Sequence, residues 1–409
     1  MLRKPISEVL PLTSLRFFLA SWIVLFHLQL VIKTVPGTPA QISWWALFNV
    51  VHCAYVAVGI FFVLSGFILA LNYSLDEPWT NAMRWKFAVA RFSRIYPVYL
   101  LALAAVAPIV IGPIFAEHSR SLLLRRLVSG ALNLLMLQAW VPQAALTWNG
   151  PGWSLSSEAF FYVCFPVLGA LVYRTTTVRK AVAAIAGLWA LELAAPVICV
   201  LLRVKGFGDM HATALPETTL ADLVKFNPLL NLSFFLAGIA ACRVYRLLRA
   251  ERHKNGEKWA GRGYLFYLPS LVLLALITAF GDRSPYPVMH NGLILPPAVG
   301  IILGLALGDK FLCALLSNRL LVFLGKASYA EYLLHFPVRY VFERYGIAWS
   351  LEQQTGYFLT VLVISGIVFH FYEEPMQLRL RKLLMPRPTT SQTPLHSSLQ
   401  TEQVARLVD

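Results

Sequence analysis

Charge is what this sequence has least of. Asp, Glu, Lys and Arg make up 13% of its 409 residues, while 58% are hydrophobic. A soluble domain carries roughly 25% charged residues because its surface must be wetted. A chain this long and this poor in charge cannot cover a water-facing surface, which excludes an ordinary soluble fold. Cysteine is also scarce. Cys53, Cys164, Cys199, Cys242 and Cys313 are scattered and none forms a C-x-x-C pair, so they read as small buried apolar side chains, with neither a disulfide framework nor a zinc site expected. Acidic residues number 20 against 35 basic ones, a net charge of +15. A basic excess can mark a nucleic-acid partner, but here the cations sit in short loops between apolar runs, so no nucleic acid is expected. Two further features are missing: the inverted repeat of many transporters, and any loop long enough to fold by itself, which takes about 50 residues.

What the sequence has is long apolar runs. A membrane-crossing helix needs about 20 mostly apolar residues, and the candidates are 15–32, 53–73, 94–112, 159–173, 181–202, 228–245, 264–280, 293–307, 321–341 and 357–371. The expected fold is therefore an all-α integral membrane protein of about ten transmembrane helices. The segment Ala131–Trp140 is apolar but short, and reads as a re-entrant or interfacial helix. The first run is not a cleaved signal, since Arg16 and His27 interrupt it and Lys33-Thr34-Val35-Pro36 offers no small-residue cleavage site. Loop charges set the orientation. Arg3 and Lys4, then Arg84, Lys86 and Arg91, then Arg174, Arg179 and Lys180, the cluster from Arg246 to Arg262, and Arg379, Arg381, Lys382 and Arg387 fall on one side. Lys33 and Arg283 stand alone on the other, so both termini are expected to be cytoplasmic. Arg120, Arg125 and Arg126 in the third loop break the pattern. Residues 1–385 read as one membrane domain; from 386 the chain turns to Thr, Ser, Gln and Pro and reads as a disordered cytoplasmic tail.

Ionisable residues inside such runs cost several kcal/mol and are functional candidates by default. Arg16 and His27 lie eleven residues apart, which at about 100° and about 1.5 Å per residue puts them within roughly 20° of one face and about 16 Å apart along the axis. That geometry suggests a cation at the mouth of a cavity and a titratable base at its floor; the plainer reading is a snorkelling arginine and an interhelical hydrogen bond. Glu158 follows Pro151-Gly152-Trp153-Ser154-Leu155-Ser156-Ser157, at what reads as the outer mouth of the fourth span. It could orient a histidine base, or simply sit in a first turn that Ser154 or Ser156 caps. Arg91 and Arg94 share a helical face, which suits a phosphate clamp or ordinary anchoring to headgroups. Glu331 and His335, four apart, read as a core hydrogen-bonded pair. Glu373-Glu374-Pro375 closes the last span, as a cap or as partner to loop arginines.

Together these segments resemble the membrane-bound acyltransferase 3 family of O-acyltransferases. The matches run in order: Leu15-Arg16 with His27, Phe61-Phe62-Val63-Leu64-Ser65-Gly66-Phe67, Arg91-x-x-Arg94-Ile95-Tyr96-Pro97, Trp153-Ser154-Leu155-Ser156 with Glu158 and Phe161-Tyr162, Ser328-Tyr329 with Tyr332-Leu333-Leu334-His335, and Glu374-Pro375. The family often has Leu-Asp-Gly-Leu-Arg where this chain has Leu12-Thr13-Ser14-Leu15-Arg16, and an acid where it has Ile60. The resemblance implies a ten-helix core in a bacterial inner membrane and transfer of an acyl group, with acetyl first, from cytoplasmic acyl-coenzyme A to a hydroxyl of a carbohydrate or lipid-linked glycan. It implies His27 as base, with Arg16 and Glu158 beside it in the catalytic site and Arg91 and Arg94 on the donor phosphates. Ser65, Trp153, Ser154, Tyr162 and His335 are further site candidates, and no metal is implied. Larger members carry an extra C-terminal domain, and this chain is expected to be the stand-alone form. The alternative is a proton-coupled transporter or flippase of a small acid or lipid-linked sugar, because intramembrane Arg, His and Glu also serve proton coupling.

Overall fold

A computed structural model describes residues 9–28, 39–117, 120–204, 219–255, 261–345 and 350–385, and among them every regular element is a helix. The tail expected from residue 386 lies outside the described residues. The longer helices are α1 (Leu10–His27), α2 (Pro39–His52), α3 (Ala57–Asn72), α4 (Asn81–Glu117), α5 (Arg120–Leu134), α6 (Gly152–Cys164), α7 (Val178–Leu201), α8 (Thr219–Phe226), α9 (Leu232–Asn255), α10 (Tyr264–Ala279), α11 (Leu295–Leu307), α12 (Arg319–Arg344), α13 (Leu351–Val368) and α14 (Glu374–Leu384). Seven helical stretches are long and apolar enough to cross a membrane: Leu10–His27, Trp45–Asn72, Asn81–Gly112, Gly152–Tyr173, Val178–Leu201, Tyr286–Leu307 and Leu351–Leu384. The protein is thus a multi-pass membrane protein. Helix α10 is apolar but shorter. Helices α9 and α12 carry Arg243, Arg246 and Arg249, and Lys326, Glu331 and Arg339. Several of these charges bond within the protein: Arg243 Nε donates to the Thr175 carbonyl at 2.7 Å, and Arg246 to those of Ala70 and Leu71 at 3.0 and 2.9 Å.

Without a hydrophobic drive between helices in lipid, tight crossings rely on small residues. At the α3–α9 crossing a Cβ on Gly66 would overlap the carbonyl of Phe235, and one on Gly238 that of Val63. Gly325 of α12 meets the Thr13 carbonyl of α1 in the same way. These contacts fix direction. Gly325 lies against Thr13, Glu331 against Ser21 and His335 against His27, so α1 and α12 run parallel. Gly59 lies against Phe234 and the Ala70 carbonyl against Arg246, so α3 and α9 are parallel too. Helices α12 and α13 are antiparallel, with Phe323 beside Gly366 and the Tyr357 hydroxyl donating to the His335 carbonyl at 2.7 Å.

The short segment Ala131–Trp140 is not a helix of its own. Its first residues are the last turn of α5, which begins at Arg120, and Gln138–Trp140 form a single 3-10 turn. Arginine is a good helix former, so the charges at 120, 125 and 126 do not interrupt α5. The end of α5 reaches the middle of α4, where the hydroxyls of Tyr99 and Tyr96 donate to the carbonyls of Asn133 and Leu134 at 2.8 and 3.2 Å. The chain then crosses to α6 through irregular backbone, which a membrane interior tolerates only where protein satisfies it. Gln138 Nε2 donates to the Gly152 carbonyl at 2.7 Å, and Ser156 Oγ to that of Met136 at 2.6 Å.

Candidate active site

Where α1, α3, α4, α6, α12 and α14 converge there is a cavity of about 570 Å³, within the range of small-molecule sites. Arg16, Arg91, Arg94, Lys326 and Arg381 line it, against the carboxylates of Glu158 and Glu374. With five cations facing two carboxylates, its lining carries a positive excess that suits an anion. Arg91 is packed among aromatic rings, its Cζ 5.7 Å from the Tyr73 centroid and 5.8 Å from those of Phe87 and Tyr162. Arg94 forms an ion pair with Glu373, and its Cζ stands 5.5 Å from the Tyr329 ring. The Nε atoms of Arg16, Arg91 and Arg381 are buried without a partner among the described residues, an arrangement that normally costs free energy.

Glu158 is not at an outer mouth. It lies in this cavity with the arginines and accepts hydrogen bonds from Ser65 Oγ at 2.7 Å and the Tyr162 hydroxyl at 2.6 Å. The cause is the route through α5, which brings the chain to α6 deep in the bundle. The serines ahead of it do not cap α6: Ser154 Oγ donates to the Pro151 carbonyl at 2.9 Å, and Ser156 turns to Met136. Trp153 is a packing residue, its ring edge-on to Phe62 with centroids 6.0 Å apart.

His27 does not line the cavity. Tyr332 lines it on the side of the histidine, its ring 6.1 Å from that of His335. The Tyr332 hydroxyl is held 2.9 Å from Ser154 Oγ and 3.1 Å from the Pro151 carbonyl. Behind this wall His27 Nδ1 lies 3.0 Å from the Ile23 carbonyl and 3.2 Å from His335 Nε2. A carbonyl can only accept, so the proton belongs on Nδ1 and the lone pair on His27 Nε2. Arg339 donates to the His27 carbonyl at 2.6 Å. Glu331 and His335 do share a helix face, but they do not bond each other: Glu331 accepts from Ser21 Oγ at 2.8 Å while His335 meets His27.

The structure thus gathers Arg16, Arg91, Arg94, Ser65, Glu158, Ser154 and Tyr162 around one cavity and sets His27 with His335 just beyond it. Sequence reasoning missed Lys326 and Arg381, having assigned Arg381 to orientation alone. Its signal was present: Glu374, Gln377 and Arg381 repeat at three and four residues, one helical face.

Residues 12–371 match the acyltransferase 3 family profile, described as an acyltransferase domain. The acyltransferase MdmB of Streptomyces mycarofaciens is 29% identical over 416 residues, covering 94% of this chain and 96% of that protein. Protein 2 in the picA locus of Rhizobium radiobacter is 32% identical over 136 residues, covering 31% of this chain and 71% of that protein. No solved structure matches the chain. With the family profile spanning most of its length, a helical multi-pass body and a cationic cavity beside a histidine pair, the chain belongs to the acyltransferase 3 family and is a membrane acyltransferase.

Proposed function

We propose that the protein transfers an acyl group, acetyl first, from acyl-coenzyme A to a hydroxyl of a carbohydrate or glycoconjugate, with His27 as general base. The observation that carries this reading is the cationic cavity ending at Tyr332, with the histidine pair directly behind. Coenzyme A brings phosphates that match the guanidinium groups of Arg91, Arg94 and Arg16, and guanidinium binds phosphate through a fork of fixed donors. Arg16 stands about 16 Å from His27 along α1. It therefore serves the donor rather than the reacting carbonyl, and the pantetheine arm bridges the gap. Glu158 is a positioning residue, balancing the arginines and fixing Ser65 and Tyr162.

In the reaction the acceptor oxygen attacks the thioester carbonyl while its proton passes to His27 Nε2. The carbon–sulfur bond then breaks, and the thiolate leaves with the proton returned from the imidazolium. His335, neutral and against His27 Nδ1, holds the ring in the tautomer that exposes Nε2, the orienting role that a base needs.

The orientation is ten crossings with both termini cytoplasmic, in a bacterial inner membrane. The parallel pairs support it: counting the ten apolar runs in order, α1 and α12 are the first and ninth and α3 and α9 the second and sixth. Parallel neighbours must be an even number of crossings apart. The donor cavity then opens inward, where Arg91, Lys326 and Arg381 lie.

The test uses purified protein in nanodiscs with radiolabelled acetyl-coenzyme A and a panel of glycosides, comparing wild type with His27→Ala. Transfer lost in a folded variant that still binds acetyl-coenzyme A is the expected result. Equal turnover in both would remove His27 from the chemistry, and no binding of acetyl-coenzyme A by wild type would overturn the donor assignment.

A further inference from the structure

A second cavity, of about 440 Å³, is lined by Arg126, Gln143, Thr147, Trp148, Asp222 and Tyr340, with Ile109 and Val110. Its place relative to the first is fixed by two helices that both cavities touch. On α4 the cationic cavity reaches Ile95 and the second begins at Ile109, about 21 Å further along the axis. On α12 the cationic cavity reaches Tyr332 and the second includes Tyr340, about 12 Å further on. His335, and with it His27, lies between. Between His27 and Tyr340 of the second cavity stands Phe336. Its ring centroid is 4.9 Å from that of His27 and 6.1 Å from that of Tyr340, and Gly150 leaves it room, since a Cβ there would come within 3.2 Å of the ring.

Trp148 lines this space, and three features fix its ring at the cavity wall against α5. Trp148 has a φ of 65°, the left-handed region that a bulky L-residue rarely adopts and that clusters at ligand clamps. Its Nε1 donates to Ser129 Oγ at 3.2 Å. Gly130 makes room for it, because a Cβ at that position would sit 2.7 Å from Trp148 Cζ2. Beside it, Thr147 Oγ1 accepts from Asn133 Nδ2 at 3.2 Å, and Asp222 pairs with Lys225 at 2.8 Å. Arg126 is one of the third-loop arginines that the orientation rule left unexplained. Its position in this cavity, in no ion pair among the described residues, gives it a purpose other than orientation.

We propose that this second cavity is the acceptor subsite and takes a carbohydrate ring, its C–H face on Trp148 and Tyr340 and its hydroxyls on Gln143, Thr147, Asp222 and Arg126. The proposal rests on the acyltransferase reading above. An aliphatic alcohol would have no use for an amide, a hydroxyl, a carboxylate and a guanidinium around one aromatic floor, whereas a ring dense in hydroxyls uses all of them. The acceptor hydroxyl reaches His27 Nε2 past the edge of Phe336, so donor and acceptor approach the base from opposite ends of the bundle.

The test uses the full-length protein in nanodiscs and labelled p-nitrophenyl glycosides of the common hexoses as probes. Saturable glycoside binding is followed by equilibrium dialysis, and the acceptor KM with radiolabelled acetyl-coenzyme A. Trp148→Ala and Tyr340→Ala are each expected to raise glycoside Kd and KM about tenfold or more while leaving acetyl-coenzyme A affinity unchanged, at the energetic scale of one lost stacking contact. Trp148→Phe, which keeps an aromatic face, should restore most of the affinity and guards against a folding defect. Arg91→Ala should show the reverse, losing the donor and keeping the glycoside. The proposal is overturned by glycoside binding that is the same in wild type, Trp148→Ala and Tyr340→Ala, or by the absence of saturable binding of any glycoside to wild type. Glycoside binding lost in Trp148→Ala, in a protein that never consumes acetyl-coenzyme A, would keep this subsite and sink the donor reading instead.

Discussion

On the proposed reading Arg94 carries two duties that can be separated. Its guanidinium pairs with Glu373 Oε1, the Glu373 side chain being 1% exposed against 19% for Arg94, and Glu373 Oε2 has no hydrogen-bond partner among the described residues. Truncating Arg94 to Ala strands that carboxylate. Breaking one side of a buried pair costs about 3–5 kcal/mol; because Arg94 also faces the cavity, where water reaches, the lower end of about 3 kcal/mol applies. Replacing the pair by apolar residues of similar volume, Arg94→Met with Glu373→Leu, removes both charges and should return stability to within about 1 kcal/mol of wild type. Donor affinity should not return with it. A charge-assisted hydrogen bond to phosphate is worth about 1.5–3 kcal/mol, so the acetyl-coenzyme A Kd should stay raised by about tenfold to a hundredfold. Thermal unfolding in detergent and equilibrium dialysis read the two quantities independently. A double variant that is stable and binds acetyl-coenzyme A like wild type would show that Arg94 is only structural, and a single Arg94→Ala as stable as wild type would refute the ion-pair argument.

Two further outcomes follow from packing and titration. Gly66→Leu should destabilise the protein by more than the usual 1–3 kcal/mol of overpacking, since the side chain must displace the Phe235 backbone. Gly112→Ala, with no atom within 4 Å of the added Cβ, should stay within about 0.5 kcal/mol; equal thermal midpoints for the two would contradict the crossing geometry. Asp309 lies in the loop after α11. Burial raises its pKa, but the nearby Cys313 thiol, the backbone N–H groups of Phe311 and Leu312 that donate to Oδ1, and the nearby Tyr267 hydroxyl outweigh that, and the net shift is downward. A carboxyl lowered on folding adds stability above its unfolded value of about 3.9 and loses it as pH falls through the lower folded value. Asp309→Asn should therefore flatten the acid-side fall of the thermal midpoint between about pH 5 and pH 3, and an unchanged slope would count against it.

The membrane fold was legible because lipid simplifies the code: each of the ten apolar runs overlaps a helix, and composition alone excludes a water-soluble surface. Seven of the residues singled out in the sequence line one cavity, but its boundary was not legible. Arg16 and His27 stand within roughly 20° of one another around α1, yet Arg16 lines the cavity and His27 does not, because Tyr332 closes the wall from a helix some three hundred residues away. Glu158 was misplaced for a similar reason. Pro151-Gly152 does mark a helix start, but no local pattern shows that α5 has already carried the chain to the depth of Tyr99. The His27–His335 pair is likewise a long-range contact. Each histidine was visible, while the pairing depends on α1 and α12 running parallel across Gly325.

The separation of arginines from base has a chemical logic on the proposed reading. A thioester beside an exposed general base is open to hydrolysis, and a site gains by excluding water until the acceptor is in place. Tyr332 supplies such a partition: its hydroxyl is tied to Ser154 and Pro151, at the start of the helix that also carries Glu158. The orphaned Nε atoms of Arg16, Arg91 and Arg381 point to the same economy from the other side. Buried donors left without partners cost about 1–3 kcal/mol each, and all three belong to arginines lining one cavity. Structural arginines are usually paired where they lie, as Arg339 is with Glu343 and the His27 carbonyl. Three arginines whose Nε atoms lack partners around a common space make sense if an anion with several acceptor oxygens completes them, and that completion offsets part of the cost of holding them there.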